Sequence, residues 1–375
     1  MIVQSSAAKA REFIDQRQAI IAKARRKGLG VSGYFPQIIG LGLTDMCNKA
    51  CNYCYIEQKS AEGQKMDMVT IFKSLEQASD ANIGAAVLTG GEPTQQLDGL
   101  LYAARVAGDK MGALAIQTNT VMADEVRWQL FSRLYDYTSW GQSGGTLQFN
   151  LSFSPQRSEA ETESLKSFLG EFAAAPIGKR ALIEVLLDRS IEEAEGKLAE
   201  LENHIIKVLL PTLKANNKIV GMDSYWPLMV GRAKALRGTS LGALIREKKG
   251  PVSLFSYRRL EQVEQDIIAV DPSGFVFPSG IYMYMGLYPI GNVNGLSGRS
   301  LREIISETNH DPLLCLIETG RAGDLFSLAA KRYPEFSELL NTCADPFEVF
   351  VDIFTDTEKT LVLMEQAANL LAKKG

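Results

Sequence analysis

Short apolar runs alternate with longer stretches of helical periodicity from about residue 35 to about residue 237. Six runs rich in β-branched or small apolar residues predict strands at 37–43, 84–88, 113–117, 147–153, 182–187 and 219–224. The stretches between them predict helices at 67–81, 95–111, 124–135, 159–175 and 191–215. Repeated strand–helix units are typical of parallel pairing. The pattern predicts an α/β fold of six units, two fewer than the eight of a closed (β/α)₈ barrel.

The N-terminal segment has a different pattern. Residues 5–28 predict a basic helix whose apolar stripe, Phe13, Ile20 and Ile21, packs on the body of the protein while a charged face stays in water. The basic positions are Lys9, Arg11, Arg17, Lys23, Arg25, Arg26 and Lys27. A binding surface for an acidic partner is the alternative interpretation of these charges.

The chain beyond about residue 240 predicts a C-terminal α+β extension. Two apolar runs flank a Pro-Ser-Gly turn at 272–274 and predict a β-hairpin. The remainder is mostly helical and ends in an amphipathic helix at 358–374. We therefore expect three segments, an N-terminal arm at 1–35, a partial barrel at 36–240 and the extension at 241–375.

Composition excludes several classes of protein. The 375 residues, 46% of them hydrophobic, suffice for one large domain or two ordinary ones, and they are unlike a disordered, collagen or coiled-coil chain. No apolar run reaches the roughly 18 residues of a membrane helix, and residues 1–10 lack a secretory signal. The formal charge of -4 gives no footprint for nucleic acid. We therefore expect neither a membrane nor a nucleic acid as a partner.

Three of the five cysteines, Cys47, Cys51 and Cys54, lie together just after the first predicted strand. Cysteines this close in sequence pair poorly with one another and are typical of metal ligands. Their CxxxCxxC spacing lets one loop bring three thiolates to three irons of a cubane cluster, which leaves the fourth iron open. Zinc and a chance group of structural cysteines are the alternatives. Zinc prefers four ligands, and the two histidines, His204 and His310, are distant in sequence.

A second motif follows the next predicted strand, which ends in Thr89-Gly90-Gly91-Glu92-Pro93. Glycines at a strand end allow close approach of the backbone to a ligand, and Glu92 could accept hydrogen bonds from an ammonium group. The carboxyl ends of parallel strands face a common site. We therefore expect this turn to lie at the same site as the segment that carries Cys47, Cys51 and Cys54, which we call the cysteine loop.

The cysteine loop and the Gly-Gly-Glu-Pro turn together resemble the radical S-adenosylmethionine (SAM) superfamily, over about residues 36–237. The resemblance implies a partial (β/α)₆ barrel and a [4Fe–4S] cluster on the three cysteines, whose fourth iron chelates the amino and carboxylate groups of SAM. It also implies cofactor-binding residues, namely Tyr53 near the adenine, Gly90, Gly91 and Glu92 at the methionyl amino group, and Asn119 and Ser152 at the third and fourth strand ends. Ordinary capping of strand ends is the alternative for Asn119 and Ser152.

The chemistry implied by the resemblance is reductive cleavage of SAM to methionine and a 5′-deoxyadenosyl radical, which abstracts a hydrogen atom from the substrate. An electron donor such as flavodoxin or ferredoxin belongs to the same expectation. A cytoplasmic location is also expected, because an exposed cluster is sensitive to oxygen.

The C-terminal part resembles a SPASM or twitch extension, which in related enzymes carries auxiliary clusters. The stretch 225–233 is similar to the Pro…Gly-Arg-Ala stretch that ends the barrel in this subgroup. The hairpin, with residues 291–292 and 300–304, is similar to the opening of the extension, but Ser279 stands where the subgroup has a cysteine. Only Cys315 and Cys343 remain, too few for a Cys₄ site. We therefore expect a SPASM-like scaffold without auxiliary clusters, and a redox-neutral reaction or one ended by a hydrogen-atom donor. Cys315 or Cys343 could be that donor, and buried apolar cysteines are the alternative.

These expectations converge on a radical enzyme that forms or rearranges a bond in peptide or natural-product maturation. A small metabolite (a sugar, nucleoside or amino acid) is the alternative substrate, and a non-catalytic iron–sulfur protein is the alternative class. A strip at 282–285 with Tyr288 could line a substrate pocket, although such strips are more often core. Further charged residues could face the barrel mouth, namely Arg157, Glu184, Asp188 and Arg232.

Overall fold

The computed structural model describes residues 7–29, 34–51, 54, 63–136, 145–187, 191–225, 237, 239, 243, 247, 267–294, 299–343 and 346–372. The chain divides into two compact units. We call the first, Ile39–Cys51 with Gln58–Pro227, the barrel unit. The second, Met1–Ile38 with Asn52–Glu57 and Leu228–Gly375, is the helical unit, and it contains the first helix, Ala7–Arg26 (α1).

The barrel unit follows the predicted alternation of strands and helices. Its strands are Ile38–Thr44 (β1), Ala85–Gly90 (β2), Ala113–Thr118 (β3), Thr146–Phe153 (β4), Arg180–Leu186 (β5) and Ile219–Tyr225 (β6). Its helices are Met68–Asp80 (α2), Leu97–Lys110 (α3), Asp124–Asp136 (α4), Glu159–Ala174 (α5), Ile191–His204 (α6) and Leu210–Ala215 (α7). The strand order is β6-β5-β4-β3-β2-β1, and the pairs from β2 to β6 are parallel. The sheet does not close on itself, which confirms the predicted α/β class and partial barrel.

One predicted helix is interrupted. The pattern at 191–215 predicts a single helix, but a π turn at Ile205–Leu209 separates α6 from α7. Pro211 lies in the first turn of α7, where the missing N–H of proline is tolerated. The proline therefore marks the start of a second helix.

The barrel core lies between the sheet and its covering helices. Residues of β4 alternate between fully buried and half-buried, as expected for a strand with one face against helices. On the buried face, the rings of Phe131, Phe149 and Phe168 pack with centroids 5.0–5.6 Å apart. The opposite, half-buried face carries polar residues and is available for a site.

The helical unit combines three antiparallel strands with helices. The predicted hairpin is present as Ile267–Val270 (β7) and Phe275–Phe277 (β8), and Gly291–Asn292 (β9) pairs with β8. Its turn places Gly274 at φ +82°, which favours glycine. The helices after the hairpin are Gly280–Met285 (α8), Leu301–Thr308 (α9), Pro312–Glu318 (α10), Ala322–Arg332 (α11), Leu339–Thr342 (α12), Pro346–Phe354 (α13) and Thr357–Ala372 (α14). None of the helices in the described part of the chain is long and apolar enough to cross a membrane.

Arg17 is not on the solvated face of α1, which its charge predicts. It is fully buried, and its Nε donates to Asp311 at 2.8 Å. The hydroxyl of Tyr288 donates to the same carboxylate at 2.7 Å. Helical periodicity explains the difference, because Arg17 lies four residues from both Phe13 and Ile21 and so shares their buried stripe.

The strip at 282–285 with Tyr288 belongs to the core of the helical unit. Tyr282 is fully buried, and its ring packs at 5.7 Å from that of Phe354. Tyr288 is also buried and lies at 5.0 Å from Phe354. These rings are packing residues, the commoner of the two interpretations of the pattern.

Candidate active site

The cysteine loop begins where β1 ends. The hydroxyl of Thr44, the last residue of the strand, accepts the N–H of Met46 at 3.1 Å and so shapes the first turn of the loop. Cys47, Cys51 and Cys54 follow, and each is half-buried. None of the three forms a disulfide bond, so all are thiols.

The glycine pair at the end of β2 lies against the start of this loop. The N–H of Gly91 donates to the carbonyl of Thr44 at 2.7 Å, and that of Glu92 donates to the carbonyl of Met46 at 2.7 Å. A Cβ atom on either glycine would collide with the backbone of residues 44–46, and Gly90 has a φ of +135°. The two glycines therefore allow the cysteine loop to pack closely on the end of β2, and the predicted approach of their backbone to a ligand stays a prediction.

Glu92 joins the end of β2 to the end of β3. Its side chain is fully buried, and one oxygen accepts the N–H and hydroxyl of Thr94 at 3.2 and 2.8 Å and the hydroxyl of Thr118 at 2.8 Å. The other oxygen accepts the backbone N–H of Asn119 at 2.7 Å. Burial raises the pKa of this carboxyl, against the lowering effect of the four hydrogen bonds. Three of these bonds go to one carboxylate oxygen and one goes to the other. The contact between Glu92 and an ammonium group stays a prediction.

Asn119 brings the end of β3 onto the cysteine loop. Its Nδ2 donates to Asn48 Oδ1 at 2.8 Å and lies 3.8 Å from the sulfur of Cys47. Asn48 in turn donates through its own Nδ2 to the carbonyl of Val121. The loop and the residues after β3 are therefore joined in both directions. The expectation that the strand ends converge on the cysteines holds for β1, β2 and β3.

The turn that carries Asn119 is clamped from a neighbouring element. Thr120 has a φ of +61°, which is unfavourable for a β-branched residue. The buried guanidinium of Arg157 donates to the Thr120 hydroxyl at 3.2 Å and to the Asn119 carbonyl, and Ser164 donates to the Thr120 carbonyl at 2.6 Å. Backbone strain persists only where its surroundings enforce it, and it concentrates at functional sites. Arg157, which the sequence could not orient, therefore holds this turn.

A salt bridge fixes the middle of the cysteine loop to α5. Lys49 Nζ lies 2.8 Å from Glu161 Oε1, with both side chains mostly buried. Glu161 also closes the capping box of α5 with Ser158. Partial burial raises the pKa of Glu161. The hydrogen bonds from Lys49 and from the Ser158 N–H together lower the pKa by more than burial raises it, so the net shift is downward. The loop is thus anchored at Asn48 and at Lys49.

A row of polar side chains crosses the half-buried face of the sheet. The Thr89 hydroxyl donates to Gln117 Oε1 at 2.9 Å, and Gln117 Nε2 donates to Glu184 Oε2 at 3.4 Å. The strand register places Glu184 between Ser152 and Asp223. Burial, with a smaller contribution from the charge of Asp223, raises the pKa of Glu184 to about 7. This face therefore offers hydrogen-bonding groups and a carboxyl that titrates near neutrality.

Some of the predicted residues lie outside the described part of the chain. Tyr53 is one, and the others are Asp188, Arg232 and most of the 225–233 motif. Ser152 lies half-buried on β4, on the face that carries Glu184. Its contact with SAM stays a prediction.

Cys315 and Cys343 lie in the core of the helical unit. Each is only 2% exposed. The Cys315 thiol donates to the carbonyl of Asn309 at 3.4 Å, and burial raises the pKa of the Cys343 thiol to about 12. These are the surroundings of cysteines that act as small apolar residues. The role of hydrogen-atom donor stays a prediction for both.

Several contact residues of the site were not singled out from the sequence. Asn48 bonds the cysteine loop to Val121, and Gln117 bonds to Glu184 in the polar row. Thr118 donates to the carboxylate of Glu92. The available signal was the polar run Gln117–Thr120, which follows the four apolar residues that begin β3. Polar residues at the carboxyl end of a parallel strand lie at the same edge of the sheet as glycines there do, and they indicate a site equally well.

The donor set fits an iron–sulfur cluster in kind. Three thiols from one loop are the ligands that such clusters take. Among the residues that the structure describes, no group of three His, Cys, Asp or Glu side chains is already arranged to hold a metal ion. The fit therefore rests on the type and spacing of the donors.

An open sheet of strand–helix units, with three cysteines that follow its first strand in sequence, defines the class as an α/β partial barrel. Residues 41–139 match the family model of the radical SAM superfamily. These residues therefore form a radical SAM domain, and enzymes of this superfamily use a [4Fe–4S] cluster and SAM.

Two solved structures show remote similarity to this chain. The crystal structure of Streptococcus suis SuiB bound to the precursor peptide SuiA is 12% identical, with a TM-score of 0.40, over 77% of this chain and 68% of that one. The structure of hexahistidine-tagged anSMEcpe with bound AdoMet is 12% identical, with a TM-score of 0.41, over 89% of this chain and 99% of that one. These scores are too low to assign a fold or a substrate. No curated protein matches.

Proposed function

We propose that Cys47, Cys51 and Cys54 hold the [4Fe–4S] cluster of this radical SAM enzyme, and that the reaction forms or rearranges a bond in the maturation of a peptide or natural product. The observation that carries the proposal is the convergence of three strand ends on the cysteine loop, through Gly91, Glu92 and Asn119. A loop held by three strands is a rigid mount for a reactive group.

When bound, the cluster and SAM supply one-electron cleavage of the cofactor to methionine and a 5′-deoxyadenosyl radical. The protein contributes orientation and exclusion of water. The Thr44 hydroxyl and the carbonyls of Thr44 and Met46 hold the start of the loop against the β2 turn. Asn48 and Lys49 hold its middle.

The polar face of the sheet is the proposed binding surface for SAM and substrate. Ser152 lies on this face beside Glu184, and Gln117 bonds to Glu184. Such side chains orient a polar ligand by hydrogen bonds. The Glu184 carboxyl, with a pKa of about 7, can accept or donate a proton near neutral pH. A reductant such as flavodoxin or ferredoxin, and a cytoplasmic location, belong to the same proposal.

The test begins with cluster content. The full-length protein is reconstituted anaerobically with iron and sulfide, and its iron, sulfide and zinc are quantified. We expect about four irons and four sulfides with a brown absorbance, and their loss in Cys47→Ala, Cys51→Ala and Cys54→Ala. Cys343→Ala, a matched change at a buried cysteine of the helical unit, should load normally. One zinc and no cluster would instead support the zinc alternative.

A further inference from the structure

Asn119 presents a side-chain N–H to the sulfur of Cys47. Its Nδ2 lies 2.8 Å from Asn48 Oδ1 and 3.8 Å from Cys47 Sγ, so each of the two amide hydrogens has an acceptor. The side-chain oxygen accepts the N–H of Val121 at 2.8 Å. These contacts define the orientation of the amide, with its oxygen toward Val121 and its nitrogen toward the cysteine loop.

The main chain of Asn119 is held as firmly as its side chain. Its N–H donates to the buried Glu92 carboxylate at 2.7 Å, and its carbonyl accepts from Arg157. The following residue, Thr120, adopts its left-handed conformation under the same clamp. A donor mounted on such a turn keeps its position at little entropic cost.

We infer that Asn119 is a positioning residue that raises the reduction potential of the cluster through Cys47. The inference rests on the proposed function, in which Cys47 is a cluster ligand. Reduction adds negative charge to the cluster and its thiolates, and an N–H donor directed at a ligand sulfur stabilises that charge. Partners of the ligands commonly tune metal sites in this way. This role differs from the direct SAM contact that the sequence predicted for Asn119.

The effect follows from the size of one hydrogen bond. Loss of the donor should lower the equilibrium constant for one-electron reduction of the cluster by up to about tenfold. A tenfold change corresponds to about 59 mV in a one-electron couple. Such a shift is large enough to measure, and a purely structural role of Asn119 would not produce it.

The test is the midpoint potential of the cluster in the reconstituted full-length protein, followed by electron paramagnetic resonance during a reductive titration without SAM. Asn119→Ala removes the donor. Asn119→Asp keeps the shape and the Val121 bond but places a negative acceptor beside the sulfur. We expect the wild type to have the highest potential, Asn119→Ala a lower one and Asn119→Asp the lowest.

Asn216→Ala is the matched control. The Asn216 amide donates to the Ala173 carbonyl at 2.8 Å, and neither residue belongs to the cysteine loop. Its potential should equal that of the wild type. If Asn119→Ala does not load a cluster, Asn119→Ser is measured in its place. Its shorter side chain does not reach the sulfur, so we again expect a midpoint potential below that of the wild type. An unchanged potential in the variant that loads overturns the inference. Normal cluster loading by Cys47→Ala would overturn the proposed function itself, so the two failures are distinguishable.

Discussion

The carboxylate of Glu92 accepts the backbone N–H of Asn119 at 2.7 Å, a hydrogen bond that ties the end of β2 to the end of β3. The same carboxylate accepts the Thr118 hydroxyl at 2.8 Å. The backbone N–H of Glu92 donates to Met46 in the cysteine loop. One buried residue therefore sets the relative positions of three strand ends at the site.

Glu92→Gln should destabilise the protein. The amide nitrogen of glutamine would face an N–H or hydroxyl donor wherever it is placed, so at least one buried donor loses its acceptor. We expect a loss of about 1–3 kcal/mol, seen as a lower melting temperature. The exposed Glu195→Gln on α6 is the control and should melt as the wild type does. Equal melting temperatures for both variants would show that Glu92 does not hold the strand ends together.

Lys49→Met should loosen the cysteine loop without unfolding the protein. The variant loses the 2.8 Å ion pair with Glu161 that anchors the loop to α5. We expect cluster iron to be lost to a chelator up to about fivefold faster, since such a pair contributes up to about 1 kcal/mol. Lys110→Met, which breaks a 3.8 Å pair with Glu76 on α2, should leave the rate unchanged. Glu161→Gln, which keeps the capping box with Ser158 but removes the charge, should release iron faster in the same way, and a wild-type rate in both variants would contradict the anchoring role.

Glu184 should make stability depend on pH in a defined direction. Its pKa is about 7 in the folded protein against an ordinary value of 4.5. Between these values the folded state binds the proton more tightly than the unfolded state, so stability falls as pH rises from about 4.5 to 7. Glu184→Gln removes this contribution, which is at most about 3 kcal/mol. We expect the variant to gain in melting temperature over the wild type as the pH rises from about 5.5 to about 8, at matched cluster content. A difference that is constant with pH would refute the raised pKa.

Arg17→Met should destabilise the helical unit strongly. The change leaves the buried Asp311 carboxylate without its cationic partner, and removal of one member of a buried pair costs about 3–5 kcal/mol. Arg11→Met, an exposed change on the same helix, is the control. If the two variants melt alike, the buried pair is not what holds α1 in this unit. The charge-neutral double variant Arg17→Met with Asp311→Asn should recover part of the loss.

The sequence predicted the strands well because each combines β-branched or small apolar residues with turn-forming neighbours. Both ends of each of the six predicted barrel strands lie within two residues of the observed ends. The predicted hairpin, whose second strand begins at Phe275, is also present. The convergence of the cysteine loop with the glycine turn was also predictable, because carboxyl ends of parallel strands share one edge.

Contacts between distant residues were not predictable from a linear pattern. Glu92 takes its acceptor bonds partly from Thr118 and Asn119, which become neighbours only when β2 and β3 pair. The two glycines at the end of β2 predicted a contact with a ligand. The contact in the structure is with the loop after β1, and nothing in the sequence indicates that this loop packs on them. Arg17 was assigned to solvent by its charge, although its helical position already aligned it with Phe13 and Ile21. Periodicity was the better guide there.

The central claim is that the three-cysteine loop supports reductive cleavage of SAM. The most direct measurement is the amount of 5′-deoxyadenosine and methionine formed when the anaerobic, cluster-loaded protein is mixed with SAM and a strong reductant. We predict both products from the wild type and from Cys343→Ala, and neither from Cys51→Ala. If the cluster-loaded wild type yields neither product, or if Cys51→Ala yields as much as the wild type, the claim is contradicted.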